Sequence, residues 1–131
     1  MIRDNKSAHS SGLDWREKAV DLLQSLDVNE IQSRVYLHLI ENGIRSLDDI
    51  CLALKLSDDA ASTALNNLLQ KGCIIEDPIP STYTPLHPRM ALTNVYNTLE
   101  EKDEQSLRMK RLLIDQISFL LEGIYEKRML G

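Results

Sequence analysis

Hydrophobic residues recur with a helical period over most of the chain. From position 13 they fall three or four residues apart, which is the spacing of one face of an α-helix. Four such segments precede Gly72, so the pattern predicts four helices there. Their predicted inward positions are Trp15, Ala19, Leu22, Leu23 and Leu26, then Ile31, Val35, Leu39 and Ile40, then Leu47, Ile50, Cys51 and Leu54, then Ala61, Leu65, Leu68 and Leu69.

Polar residues and glycines mark the ends of these helices. An N-cap side chain accepts a hydrogen bond from a backbone N–H of the first turn, and Gly readily ends a helix. The predicted caps are Asp14, Asn29, Ser46 and Ser57, and the predicted stops are Gly43 and Gly72. Only Lys55 and Leu56 separate the third helix from the cap of the fourth. Two short helices joined so tightly predict a helix-turn-helix.

The helical period stops at Gly72. Residues 73–76 and 82–86 have the composition of short strands, and residues 77–81 form a turn between them. Pro78 and Pro80 make this β-hairpin irregular. A winged helix consists of three helices followed by a β-hairpin, and the last three of the predicted helices and this hairpin have that order.

The last third of the chain is again helical. One stripe of predicted inward positions precedes a charged run at residues 100–104, and a second stripe follows that run. The first stripe consists of Met90, Leu92, Val95, Tyr96 and Leu99. A single helix of about 40 residues would reach about 60 Å, longer than the domain can cover. Either it breaks near residues 100–106, or it leaves the domain and pairs with another copy. An exposed apolar stripe usually marks an interface, so we predict dimerisation through it. The residues predicted at the interface are Leu113, Ile117, Leu120, Leu121 and Ile124.

The predicted fold is therefore mainly α with a small β-hairpin. It consists of a winged helix-turn-helix domain and a long C-terminal helix or helix pair for dimerisation. We assign residues 1–12 to a flexible tail, 13–88 to the winged helix-turn-helix domain, and 89–131 to the C-terminal helical dimerisation segment. A chain of 131 residues is expected to form one domain with its own core.

Composition narrows the classes of function. The formal net charge of -5 argues against a sequence-blind nucleic-acid coat, which neutralises phosphates with many cations. Cys51 and Cys73 lie in apolar neighbourhoods and are interpreted as reduced, buried thiols. The chain has no apolar run able to act as a signal peptide or to span a membrane, so we expect a cytoplasmic protein without a membrane partner.

Four segments together resemble the TrmB-like family of transcriptional regulators over about residues 26–100. These are LDVNEIQSRVYLHLIENG, SLDDICLALKLS, ALNNLLQKGCI and YTPLHPRMAL. The resemblance implies a winged helix that binds DNA and a short, stand-alone member that dimerises through C-terminal helices, without the family's sugar-binding effector domain. MarR-like and ArsR-like winged helices are close neighbours and remain alternatives. The chain departs from the family at Ser57, Asp58, Asp59 and Ala60, where the family usually carries basic residues.

Candidate DNA-binding residues follow from the helix-turn-helix. Hydroxyl and amide side chains can bond base edges, and cations beside them can bond phosphates. The outward positions of the fourth helix are Ser62, Thr63, Asn66, Asn67 and Gln70, the phosphate anchors are Arg45, Ser46 and Lys55, and the hairpin contributes Tyr83. An ordinary solvated helix face would look the same. No Arg or Lys lies between Gly72 and Pro88, which weakens the hairpin as a minor-groove reader.

The favoured hypothesis is a homodimer that binds double-stranded DNA, and two other hypotheses remain beside it. The acidic start of the fourth helix, with Asp58 and Asp59, suits an acidic winged-helix module adapted to protein–protein interaction. A metal or redox sensor using Cys51, Cys73 and His38 has less support, because His38 and Glu41 supply only half a metal site. The sequence contains no phosphate loop and no nucleophile elbow, so we expect neither an enzyme nor a cofactor.

Overall fold

The computed structural model describes residues 11–99 and 104–130, with side chains for 15–99 and 104–129. Its elements are α1 (Ser11–Gln24), α2 (Glu30–Asn42), β1 (Arg45–Ser46), α3 (Leu47–Leu54), α4 (Asp58–Lys71), β2 (Ile74–Glu76), β3 (Thr82–Pro85), α5 (Pro88–Thr98) and α6 (Glu104–Leu130). The prediction of a mainly α chain with a small β-hairpin and a long C-terminal helix is confirmed. Residues 1–10 of the predicted tail lie outside the described residues.

Three of the helices start at the N-cap residues that the sequence predicts, and a local hydrogen bond is present at each start. The side chains of Asn29, Ser46 and Ser57 each accept a hydrogen bond from the backbone N–H three residues later. These bonds satisfy donors that the first turn of a helix otherwise leaves unpaired. The predicted cap of α1 is wrong, since α1 begins at Ser11 and Asp14 therefore lies inside it.

The sheet has three antiparallel strands in the order β1-β3-β2, one more than predicted. Strands β2 and β3 form the predicted hairpin, and the two-residue strand β1 pairs with the other edge of β3. Tyr83 lies opposite Arg45 on one side and Glu76 on the other. Side chains directly opposite each other project from the same face of a sheet, so these three residues form one row. The sheet thus joins the hairpin to the start of α3.

Helix α2 lies at the centre of the hydrophobic core. Val35, Leu39 and Ile40 are fully buried, as predicted, and so is Tyr36. The Tyr36 hydroxyl donates to the carbonyl oxygen of Leu86 at 3.1 Å, which fastens the base of the hairpin to α2. Burial raises the pKa of Tyr36 well above its usual value, so this donor keeps its proton. Two predicted inward positions are wrong. Ile31 is 37% exposed and Met90 is 56% exposed.

The C-terminal segment folds back onto its own domain. Helix α5 ends at Thr98, Leu99 is extended, and a separate helix α6 begins at Glu104, so the continuous 40-residue helix does not form. Helix α6 packs against α1, α2 and α5. Ile117 and Leu121 are fully buried there. Leu113, Leu120 and Ile124 are partly buried against the same core.

These contacts correct the predicted dimerisation stripe. The stripe covers the core of its own chain, so Ile117 and Leu121 are not available to a second copy. The physical reason is that the preceding helix ends at Thr98, so α6 is a separate helix that can pack on α1, α2 and α5 and complete the core. Dimerisation itself remains a prediction, and it requires a different surface.

Candidate nucleic-acid interface

The turn between α3 and α4 is tight and held by specific contacts. Lys55 adopts the left-handed conformation at φ 58°, and its backbone N–H donates to the carbonyl oxygen of Cys51. Ser57 then caps α4. The Cys51 thiol lies 3.4 Å from Oδ1 of Asp58, and burial followed by this hydrogen bond raises its pKa. The turn therefore fixes how α4 leaves α3.

Helix α4 has one buried face and one exposed polar face. Ala61, Leu65 and Leu68 are buried as predicted. On the other side the residues predicted to meet DNA are exposed (Thr63, Asn66 and Gln70) or half-buried (Ser62 and Asn67). Within the part of the chain that the structure describes, none of these five side chains hydrogen-bonds to another protein group. We call Ser62, Thr63, Asn66, Asn67 and Gln70 the polar face of α4.

The side chains predicted to bind phosphate differ in their exposure and in the hydrogen bonds that they already make. Lys55 is exposed and makes no ion pair among the described residues. Arg45 is half-buried, and its guanidinium donates to the carbonyl oxygen of Ile44 at 2.7 Å. Ser46 accepts the capping bond of α3 with its hydroxyl oxygen, which leaves the hydroxyl proton for another acceptor. Lys55 is therefore the anchor best placed to move onto a phosphate.

Lys71 does not contribute a free charge to α4. Its ammonium donates to the carbonyl oxygen of Asp27 at 2.5 Å and to Oε1 of Gln32 at 2.8 Å. Desolvation of this partly buried amine lowers its pKa. Lys71 thus ties the end of α4 to the start of α2, and α4 presents no free cation of its own.

Carboxylates outnumber cations on the elements that a winged helix would present to DNA. Between residues 45 and 85 there are three cations, Arg45, Lys55 and the tied Lys71, against six carboxylates. These carboxylates are Asp48, Asp49, Asp58, Asp59, Glu76 and Asp77. The first four lie in the first turns of α3 and α4, where they stabilise the helices through the dipole. They also repel phosphate from the two helix starts.

The hairpin tip is ordered by its own acidic residues. The Thr84 hydroxyl donates its one proton to the carboxylate of Asp77, whose two oxygens lie 2.8 and 3.0 Å from the hydroxyl oxygen. Glu76 accepts a hydrogen bond from the backbone N–H of Ser81. Ile79 is the middle residue of the loop between the two strands, and its side chain is 69% exposed. The result is an apolar tip above two carboxylates, a feature that the sequence prediction missed. An isoleucine between two prolines was the available signal.

The structure brings the predicted site residues together in two groups. Ser62, Thr63, Asn66, Asn67 and Gln70 share the polar face of α4. Arg45, Ser46 and Tyr83 lie on adjacent strands, because Arg45 pairs with Tyr83 and Ser46 with Thr82. Burial, and then the neighbouring Glu76, raise the pKa of Tyr83, so its hydroxyl remains a donor at neutral pH. Lys55 lies apart from both groups, in the turn.

The residues of the metal or redox hypothesis do not assemble into a site. Glu41 is bound by the guanidinium of Arg16, and His38 contacts the amide of Asn42 at 3.2 Å. Burial, together with the positive charge of Arg45, lowers the pKa of His38. Burial raises the pKa of Cys73 to about 12, so its thiol is unreactive. Across the described residues, no group of three metal-ligating side chains comes together.

Comparison with known proteins supports the fold. No family model and no curated sequence matches the chain. A solved structure that does match is TrmBL2, described as an archaeal chromatin protein that shows a novel mode of DNA binding. The match has a TM-score of 0.59 and 21% identity, and it covers 88% of this chain but only 45% of TrmBL2. At this identity the likeness shows a shared fold. No helix among the described residues is long and apolar enough to cross a membrane.

Proposed function

We propose that this protein is a winged helix-turn-helix transcriptional regulator that binds double-stranded DNA with the polar face of α4. The observation that carries the proposal is the row of Thr63, Asn66 and Gln70, which are exposed and free of hydrogen bonds to the rest of the described chain. The proposal assigns the chain to binding rather than to catalysis. The shared fold with TrmBL2, itself described as a DNA-binding protein, adds support.

The chemistry of this row suits the major groove. Helix α4 has 14 residues and is therefore about 21 Å long, and the groove admits an α-helix. The amides of Asn66 and Gln70 can each donate and accept a hydrogen bond on the edge of one adenine. Lys55, Arg45 and the Ser46 hydroxyl would then contact phosphates beside the groove and fix the register of the helix. Tyr83 adds a further donor from the sheet.

The acidic residues predict an unusual balance of affinity and specificity. Lys55 and Arg45 can neutralise two phosphates, so the logarithm of the binding constant should fall with the logarithm of salt with a slope of about −2. Asp58 and Asp59 lower the affinity further at low ionic strength. Discrimination between sequences should depend more on base contacts than is usual for a basic domain.

A regulator of this kind is expected to act as a homodimer. Each copy offers one α4, which reads a short half-site. A two-fold dimer can address two half-sites about 34 Å apart, one turn of DNA. Pairing two weak sites raises the overall affinity without any new contact, which would compensate for the shortage of cations.

A second candidate function is the docking of a basic protein partner on the same elements. The observation that favours it is the excess of carboxylates between residues 45 and 85, together with the exposed Ile79 at the hairpin tip. An apolar anchor surrounded by charges of one sign is a common plan for a protein interface. On this interpretation the polar face of α4 would be an ordinary solvated surface.

Binding of the purified protein to a pool of random duplexes separates the two candidates. We expect enrichment of particular sequences at low salt. Asn66→Ala should then reduce discrimination at one or two base pairs by about 1–3 kcal/mol. Asn97→Ala, which removes an exposed amide from α5, is the matched control and should change nothing. Absence of duplex binding at low salt would reject the DNA proposal and favour the protein-docking candidate.

A further inference from the structure

A groove of about 670 Å³ lies between α1 and α2 and reaches Leu54, the last residue of α3. Small-molecule sites in proteins commonly have volumes of about 300–1,000 Å³. The apolar part of the lining includes Val20 and Leu37, which are only 8% and 4% exposed. We call this cavity the α1–α2 groove. Its size and its partly apolar lining suit a small organic ligand.

The charged side chains of the α1–α2 groove comprise two cations and four carboxylates. They are Arg16, Arg34, Glu17, Asp21, Glu30 and Glu41. Both cations are already paired, Arg16 with Glu41 and Arg34 with Glu30. Glu17 and Asp21 are exposed, and neither side chain has a partner among the described residues. These two carboxylates lie four residues apart on α1, roughly 6 Å along the helix, and both are available to a ligand.

Two hydrogen-bond donors lie at one end of the groove. Glu41 binds Nε and Nη2 of Arg16, so Nη1 is left without an acceptor among the described residues. The amide nitrogen of Asn42 lies 3.2 Å from Nδ1 of His38, and an amide nitrogen can only donate, so the His38 proton is on Nε2. Burial, and then the charge of Arg45, lower the pKa of His38, so its ring is neutral at pH 7. His38 lies one helical turn from Glu41, which brings both donors to the same end.

We propose that the α1–α2 groove binds a basic α-amino acid of about the size of lysine. The ligand carboxylate accepts hydrogen bonds from Nη1 of Arg16 and Nε2 of His38. The α-ammonium group lies against Glu17, and the side-chain ammonium group lies against Asp21. Between them the methylene groups cover Val20, which keeps apolar surface away from water. Four methylene groups place the two ammonium groups about as far apart as the two carboxylates.

Other classes of ligand leave part of the groove unused. A dicarboxylate would have to displace Glu41 or Glu30 from its arginine. A diamine provides no acceptor for Arg16 and His38, and a neutral amino acid provides no cation for Asp21. A ligand with one carboxylate and two ammonium groups satisfies all of these side chains. Its net positive charge also opposes the excess of carboxylates in the groove.

The position of the groove connects it to the helix-turn-helix. Leu54 lines the groove, and the next residue is Lys55, the exposed side chain predicted to bind phosphate. A ligand held between α1, α2 and Leu54 therefore fixes the end of α3 and the position of Lys55. We expect the ligand to change duplex affinity for this reason. That step rests on the proposed function, whereas the binding site itself does not.

Isothermal titration calorimetry with free L-lysine tests the site in the absence of DNA. Cadaverine lacks the carboxylate and norleucine lacks the side-chain ammonium group, so each should bind at least about tenfold more weakly than lysine. Asp21→Asn should weaken lysine binding at least about tenfold and leave norleucine binding unchanged. Glu126→Gln is the matched control, since it removes an exposed carboxylate from α6 outside the groove and should change neither affinity.

Four results would overturn the binding site. They are no binding of lysine at millimolar concentration, equal affinities for lysine and norleucine, equal affinities for lysine and cadaverine, or an Asp21→Asn variant that binds lysine like the control. Circular dichroism should show that Asp21→Asn remains folded, since Asp21 is exposed. Lysine binding that leaves duplex affinity unchanged overturns only the link to the helix-turn-helix. A protein that binds lysine but no duplex at low salt overturns only the proposed function.

Discussion

Helices α4 and α6 are built alike on their inner sides and differently on their outer sides. Each places a strip of apolar residues in the same core, represented by Leu65 and Leu68 in α4 and by Ile117 and Leu121 in α6. Outside, α4 presents amides and hydroxyls, whereas α6 presents Phe119 and other apolar groups. Polar groups that remain hydrated when unbound suit a transient interface, whereas exposed apolar groups suit a permanent one. The two outer faces therefore suit different kinds of partner.

The largest expected effect comes from placing the same charge on the two sides of α6. Ile117→Asp buries a carboxylate without a partner and removes core packing, so we expect it to lower the free energy of unfolding by at least about 4 kcal/mol. Phe119→Asp places the carboxylate in water and should leave the stability of the dilute monomer nearly unchanged. Urea unfolding at low protein concentration measures both.

The opposite result would reverse the assignment of the two faces. If Ile117→Asp were a well-folded monomer while Phe119→Asp unfolded, then residue 117 would lie in an interface and residue 119 in the core. A loss of stability in both variants would mean that the outer side of α6 is also covered within the chain.

Much of the fold was predictable because it is local. Ser46 and Ser57 cap their helices through bonds that span three residues, and the helical period locates the inner strips of both α4 and α6. The period cannot say which surface covers a strip. Ile117 and Leu121 were assigned to a second copy because the packing of α6 against α1, α2 and α5 is a tertiary contact that the period does not reveal. Strand β1 was missed because two residues carry no period.

The candidate site was predictable in position but not in its electrostatics. The polar face of α4 follows from the same period that buries Leu65. That Lys71 is tied to Asp27, 44 residues away, follows only from how α4 packs on α2. Ile31 and Met90 show the same limit, since each fits an apolar stripe yet lies at the edge of what the neighbouring elements cover.

A smaller effect should come from glycines in two settings, with opposite signs. Gly72 ends α4 at φ +79°, and an added Cβ would lie 2.7 Å from the Asn94 amide nitrogen that donates to Gly72. Gly72→Ala should therefore lower the free energy of unfolding by about 1–3 kcal/mol. Gly123 lies inside α6 with open space around it. Gly123→Ala should raise the free energy of unfolding of the dilute monomer by about 0.5–1 kcal/mol.

Thermal unfolding of both variants at low concentration checks the pair. If Gly123→Ala is destabilising in the monomer, the helix has a close neighbour there that the structure does not show. If Gly72→Ala is neutral, the end of α4 can adopt another conformation, and the direction in which the polar face points is less fixed.

The smallest effect concerns the acidic first turns of the two helices. Asp58→Asn with Asp59→Asn keeps the size of both side chains, and the amide oxygen at position 58 can still accept the Cys51 thiol. Loss of the favourable dipole interaction should cost about 0.3–1 kcal/mol of stability for each residue. Two fewer repulsions near phosphate should nevertheless raise duplex affinity at low ionic strength, and the gain should fade as salt is added. Glu104→Gln, in the first turn of α6, is the matched control, since it should lose a similar dipole interaction and leave DNA affinity unchanged. Fluorescence anisotropy across a salt series measures the affinities. If the double variant and the wild type had equal affinities at every salt concentration, the start of α4 would not approach the duplex. The polar face of α4 could then contact DNA only through its C-terminal half.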